Sequence, residues 1–131
     1  DRSGMGRATL APRAGMVVAP CSMRTLAAVA HGLADNLITR AADVMLKERR
    51  RLVLVLRETP LSLVHARAIV QVTEAGAIVL PAAPSFYSRP ATVEALVDTV
   101  VARALDKLGL PNDLMKRWTG LPAAAEPPEE P

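Results

Sequence analysis

Cys21-Ser22-Met23-Arg24-Thr25 puts a thiol, two hydroxyls and a cation within five residues, where an apolar run at 16–19 gives way to helical spacing. A helix starting at Ser22 would present free N–H groups and the positive end of its dipole there, which with Arg24 suits a phosphate. The same Ser22 is what a plain N-cap requires, so spacing alone leaves both readings open. Cys21 has no base placed beside it, because His31 falls at the far end of that helix and His65 in another; it reads as a small packed thiol rather than a nucleophile. Arg57-Glu58 follows directly on Leu52-Val53-Leu54-Val55-Leu56. A carboxylate in that position could act as a general acid or base, or be a salt-bridged loop residue. Arg40, Asp43 and Lys47 recur at i, i+3, i+7 and so share a helical face. The simple reading is a solvated ion-pair ladder, and the alternative an anion site in which Asp43 orients the two cations. Ser85, Tyr87 and Arg89 form a further polar group between 81 and 90.

These groups need elements to hold them. The spacing predicts a strand at 16–19, a helix from Ser22 to about His31 stopped by Gly32, and a second helix from Thr39 to about Arg50. Leu52 to Leu56 is apolar on both alternating faces, as a strand buried in a parallel sheet should be. Thr59-Pro60 reads as the cap and first residue of a third helix ending at Gly76, and 77–80 as a third strand. From about Thr92 a last helix carries an apolar stripe of Val93, Leu96, Val97, Val100, Val101, Ala104, Leu105 and Leu108, with Arg103 on its border. The order β-α-α-β-α-β-α predicts an α/β fold, a Rossmann-like parallel sheet with helices on both faces. In such sheets ligands sit beyond the carboxyl ends of the strands, where the loops at 20–25, 57–60 and 81–90 fall. Residues 1–14 read as an irregular leader, 15–110 as the α/β domain, and 111–131 as a short helix with a mobile Pro/Glu-rich tail.

Composition narrows the function classes. The chain has 131 residues, 50% of them hydrophobic but only 2% aromatic, so its core must be Ala, Val and Leu. A formal net charge of +3 and the block Lys47-Glu48-Arg49-Arg50-Arg51 could suggest nucleic acid. Without aromatics to stack bases, and with the block at a helix end where the dipole favours cations, no nucleic-acid partner is expected. One cysteine makes neither a disulfide nor a cysteine-based zinc site, and the longest apolar runs are far short of the ~20 residues that cross a bilayer, so a cytoplasmic protein without membrane association is expected.

Read together, APCSMRTLAAVAHGLADNLITRAADVMLKERRRLVLVLRETPLSLVHARAI, GAIVLPAAPSFYSRP and VARALDKLGL closely resemble the flavin prenyltransferases, the UbiX-like family, across residues 15–110. The resemblance implies an enzyme that joins the dimethylallyl group of dimethylallyl phosphate to reduced FMN through flavin N5 and C6, without a metal. Its prenylated FMN would serve UbiD-type decarboxylases, including one acting on a ubiquinone precursor. By motif position, Ser22, Met23, Arg24, Thr25 and Arg57 would contact FMN, and Arg40, Lys47, Tyr87 and Arg103 the donor phosphate. Glu58 would take part in proton transfer and leaving-group chemistry, and Lys47 would share in catalysis. The resemblance also implies a large, dodecamer-like homo-oligomer with active sites at subunit contacts. The family's opening glycine- and serine-rich turn of the GxSGA kind is not in this sequence, so an N-terminally truncated fold is expected. The alternative expectation is a non-catalytic homologue that keeps the oligomer scaffold but binds flavin poorly. A flavoprotein decarboxylase of peptidyl cysteines would share the PCSM turn, but RETP and FYSRP count against it.

Overall fold

The computed structural model describes residues 15–87 and 89–114. The expected leader at 1–14 and the expected short helix and tail beyond 114 lie outside the described residues, and 111–114 are irregular. A strand with no polar side chain must be covered on both faces, and all five residues of β2 (Leu52–Leu56) are buried. It lies between β1 (Met16–Cys21) and β3 (Ile78–Pro81) in a parallel sheet of order β1-β2-β3. Val17 pairs with Val53, and Val53 with Ile78. An irregularity between Val18 and Cys21 brings Cys21 opposite Leu56, which is itself opposite Pro81. The three strands therefore end side by side.

Four helices follow from local signals: α1 (Met23–Ala30), α2 (Leu37–Lys47), α3 (Leu63–Glu74) and α4 (Val93–Leu108). On one face of the sheet Val18, Leu52, Leu54 and Leu56 pack against Leu26, Met45 and Val72, one from each of α1, α2 and α3. On the other, Val53 and Val55 pack against Val100, Ala104 and Leu108 of α4. Helices cover both faces as expected, unevenly among the described residues.

The helix starts show which local signals win. Ser22 caps α1 as expected, its Oγ accepting from Thr25 N–H at 3.1 Å. The second helix begins at Leu37 rather than Thr39, because Asn36 Oδ1 accepts from Thr39 N–H at 2.8 Å while Thr39 Oγ1 accepts from Asn36 N–H at 3.1 Å. This reciprocal box makes Thr39 the third helical residue and buries it. The third helix begins at Leu63, not after Thr59-Pro60. Ser62 Oγ accepts from His65 N–H at 3.1 Å and His65 Nδ1 accepts from Ser62 N–H at 3.2 Å, so the cap lies three residues later. Gly109, at φ 78°, ends α4, and the Arg51 guanidinium fills the space a Cβ there would take.

The α4 stripe is not buried throughout. Val93, Val97 and Val101 are 78%, 53% and 39% exposed. A 16-residue helix is about 24 Å long, whereas the four- and five-residue strands beneath it run only about 13–17 Å, so the strands are too short to cover its whole length, and Val93 and Val97 precede the Val100–Leu108 stretch that packs on them. Leu54→Ala is expected to lower the unfolding free energy by about 2–5 kcal/mol in denaturant titration, the range for emptying a core position. Val97→Ala should change it by less than about 0.5 kcal/mol. A comparable loss for both would show that assembly covers these turns.

Candidate functional site

Because Cys21, Leu56 and Pro81 are in register, the loops leaving β1, β2 and β3 emerge from one edge of the sheet. The first runs straight into α1. Ser22 Oγ, besides capping Thr25 N–H, donates to Thr25 Oγ1 at 3.2 Å. The plain N-cap reading is therefore realised, and it leaves the N–H groups of Met23 and Arg24 without intrahelical acceptors. Ser22 and Arg24 are exposed and Thr25 half-buried. The Met23 side chain packs into the core, so this position offers a ligand its backbone rather than its thioether. A helix start with free N–H groups and a cation alongside can hold an anion.

Cys21 is buried within that turn and its thiol contacts the Ser22 carbonyl at 3.5 Å. Burial pushes the thiol up from 9.0 to about 11, with an opposing contribution from the Leu26 backbone N–H. At neutral pH it is a protonated thiol, matching the packed role expected for it.

Arg57 and Glu58 are exposed on the second loop. Glu58 stands at a cleft of about 450 Å³ whose walls include Leu56, Leu61, Ile69 and Pro81, and it is the one ionisable group among the described residues lining it. In the third loop Tyr87 is exposed, its N–H donating to Ser85 Oγ at 3.3 Å, and Arg89 adopts φ 49° while its N–H donates to Phe86 O at 3.0 Å. Arg103 is exposed on α4.

The ion-pair ladder does not form. Arg40 Nη2 donates to the Ala34 carbonyl at 3.3 Å, and among the described residues no ion pair joins Asp43 to Arg40 or Lys47. Both cations are exposed. Lys47 ends α2, where the chain turns back into the amino end of β2 through Arg50 N–H to Met45 O at 2.8 Å. Glu58 follows the carboxyl end of the same strand, itself about 16 Å long. Within one chain, then, Lys47 and Glu58 lie at opposite edges of the sheet, while Ser22, Arg24, Arg57 and Glu58 share one.

Thr99 escaped the sequence reading. It is buried in α4, donates to Leu96 O at 2.6 Å and accepts from Ser85 N–H at 2.9 Å. A threonine within the valine-rich stretch VDTVVA was the available signal. Among the described residues no group of three or more His, Cys, Asp or Glu side chains could hold a metal, and no helix is long and apolar enough to cross a membrane.

The family described as Flavoprotein matches residues 7–105. The chain is 55% identical over 109 residues to "Flavin prenyltransferase UbiX" of Methanothermobacter thermautotrophicus, covering 83% of this chain and 57% of that protein. It is 57% identical over 108 residues to the Pseudomonas aeruginosa protein of the same name, covering 82% and 51%. The chain thus spans about half the length of these curated relatives. It superposes on a crystal structure of AnUbiX (PadA1) in complex with FMN and dimethylallyl pyrophosphate with a TM-score of 0.78 and 51% identity, covering 84% of this chain and 62% of that one. A dodecameric FMN-dependent UbiX-like decarboxylase from Escherichia coli O157:H7 gives a TM-score of 0.76 at 50% identity, covering 81% and 57%.

Two consequences of the Cys21 environment are measurable. Alkylation by iodoacetamide at pH 7.5 should be negligible in the folded chain and complete in denaturant. The folded thiol binds its proton more tightly than the unfolded one, so its contribution to stability is fully present below about pH 9 and is lost as pH rises towards about 11. Cys21→Ala should remove that part of the alkaline loss; rapid native alkylation would contradict the assignment.

Proposed function

The chain belongs to the Flavoprotein family, and from that premise we propose that it acts as a flavin prenyltransferase, moving a dimethylallyl group from dimethylallyl phosphate to reduced FMN. The observation that carries this reading is the exposure of Arg40 and Lys47 with no carboxylate engaging either among the described residues. Ionising an allylic phosphate calls for cations on the departing oxygens more than for a nucleophile on the protein. The identities of 55% and 57% with flavin prenyltransferases support the assignment.

Reduced FMN, when bound, supplies the nucleophilic N5 and the C6 position at which a further ring closes. The chain's own residues divide the remaining work. Ser22, Arg24 and Thr25, with Met23 through its backbone N–H, hold the flavin at the start of α1, and Arg57 joins them from the adjacent loop. Arg40, Lys47, Tyr87 and Arg103 receive the phosphate as the allylic C–O bond breaks and its electron pair leaves with oxygen. Glu58 carries protons to the departing phosphate and from the acceptor. Because Lys47 and Glu58 lie at opposite edges of one chain, we assign them to different copies meeting at a shared site, within a homo-oligomer of the kind the Escherichia coli structure forms. The prenylated product passes to a UbiD-type decarboxylase, and we assign the reaction to the cytoplasm.

Incubating the full-length protein with reduced FMN and dimethylallyl phosphate should yield prenylated FMN by mass and absorbance. Lys47→Ala should lower turnover by about 100-fold or more, the scale for losing one oriented charge-stabilising group, while FMN affinity stays within about twofold. Loss of FMN with turnover retained would overturn the assignment of Lys47. No product and no retained flavin in the unsubstituted protein would favour a non-catalytic scaffold.

A further inference from the structure

Building on that reading, we propose that Thr99 is a positioning residue: its hydroxyl clamps the loop bearing Tyr87 onto α4, so that Tyr87 and Arg103 meet the phosphate group of the donor together. Thr99 is 1% exposed, in a helix where valine recurs at 97, 100 and 101. Valine has the same shape, so burial alone gives no reason for a hydroxyl. The hydroxyl is used twice. It returns its proton to Leu96 O at 2.6 Å and accepts Ser85 N–H at 2.9 Å, joining a loop to a helix 14 residues further on. Ser85 Oγ in turn accepts Tyr87 N–H at 3.3 Å, and the loop closes through Arg89 N–H to Phe86 O at 3.0 Å. Tyr87 is thereby two hydrogen bonds from Thr99.

Helix geometry supplies the other half. Thr99 points about 140° away from Ala104, which packs on the sheet, so it faces away from Val53 and Val55. Arg103, one turn on, lies about 40° around and about 6 Å along the helix from Thr99, on the same side. The clamp and the guanidinium therefore share one helix face, and the loop is fixed to that face rather than to the sheet. Tyr87 has 66% of its surface exposed. The backbone clamp is what limits where its hydroxyl can go, and ordering a side chain before binding lowers the entropy lost on binding.

Thr99→Val and Thr99→Ala remove the hydroxyl, whereas Thr99→Ser keeps it. In the full chain, Thr99→Val should raise KM for dimethylallyl phosphate about tenfold, the worth of one oriented hydrogen bond, with kcat within about twofold and FMN affinity unchanged. Thr99→Ser should restore KM. In a Tyr87→Phe background Thr99→Val should add nothing further, because it acts through Tyr87. An unchanged KM, effects that multiply independently with Tyr87→Phe, or an equal loss of FMN binding would overturn the proposal. Tyr87 is the one tyrosine of the sequence, so 3-fluorotyrosine labelling gives a single ¹⁹F resonance. Dimethylallyl phosphate should shift it in the unsubstituted chain and not in Thr99→Val. If the unsubstituted chain makes no prenylated FMN, the prenyl-transfer reading fails by itself and this resonance decides: a shift lost with the hydroxyl supports the clamp, and no shift, or equal shifts, overturns it.

Discussion

Leu52, Val53, Leu54, Val55 and Leu56 have no polar side chain to turn towards water, and the need to cover both faces of this strand governs where every other element lies. Leu52, Leu54 and Leu56 take α1, α2 and α3; Val53 and Val55 take α4. Parallel neighbours on either side require crossovers, which α1, α2 and α3 supply, while α4 follows β3 and covers the other face. Aligning Cys21, Leu56 and Pro81 then gathers three loops at one edge, which is how the chain concentrates Ser22, Arg24, Arg57 and Glu58.

The same alternation separates as well as gathers. A helix that returns the chain to the start of a strand ends at the opposite edge, and α2 carries Lys47 there. Under the proposed roles, the start of α1 that would hold the flavin and the Lys47 that would meet the donor therefore lie at different ends of the sheet. For the proposed chemistry this separation has one resolution, a contact between copies that apposes the amino edge of one to the carboxyl edge of another. Closed assemblies supply such contacts repeatedly. The exposed valines of α4, Val93 and Val97, are apolar surface of the sort a neighbouring copy covers.

Much of the fold was legible because its signals are local and redundant. β2 announces itself by five apolar residues, and Ser22 and Thr92 mark helix starts by chemistry that has few alternatives. Thr39 and Thr59 misled for a common reason: each is a credible cap, but a neighbour made a reciprocal pair of bonds where each made none as a cap. Asn36 with Thr39, and Ser62 with His65, satisfy two backbone groups at once, and a one-residue reading of caps overlooks that. At the site, the residue types around Ser22 and Glu58 could be found from spacing. That no carboxylate among the described residues engages Arg40 or Lys47 could not, since i, i+3, i+7 spacing brings Asp43 to their face without making it engage them. Thr99 stayed hidden because a stripe drawn from valines passes over a hydroxyl whose acceptor role depends on a loop folding back across 14 residues.

The proposed chemistry brings Lys47 and Glu58 into one site from two copies. Its most direct test is complementation between Lys47→Ala and Glu58→Gln chains, each inactive alone, after unfolding and co-refolding or co-expression into mixed oligomers. Mixed oligomers should regain formation of prenylated FMN, because some sites combine an intact Lys47 from one chain with an intact Glu58 from the other. Mixed oligomers that form and yet stay at the level of the two parents would contradict it, placing both residues in the site of a single chain.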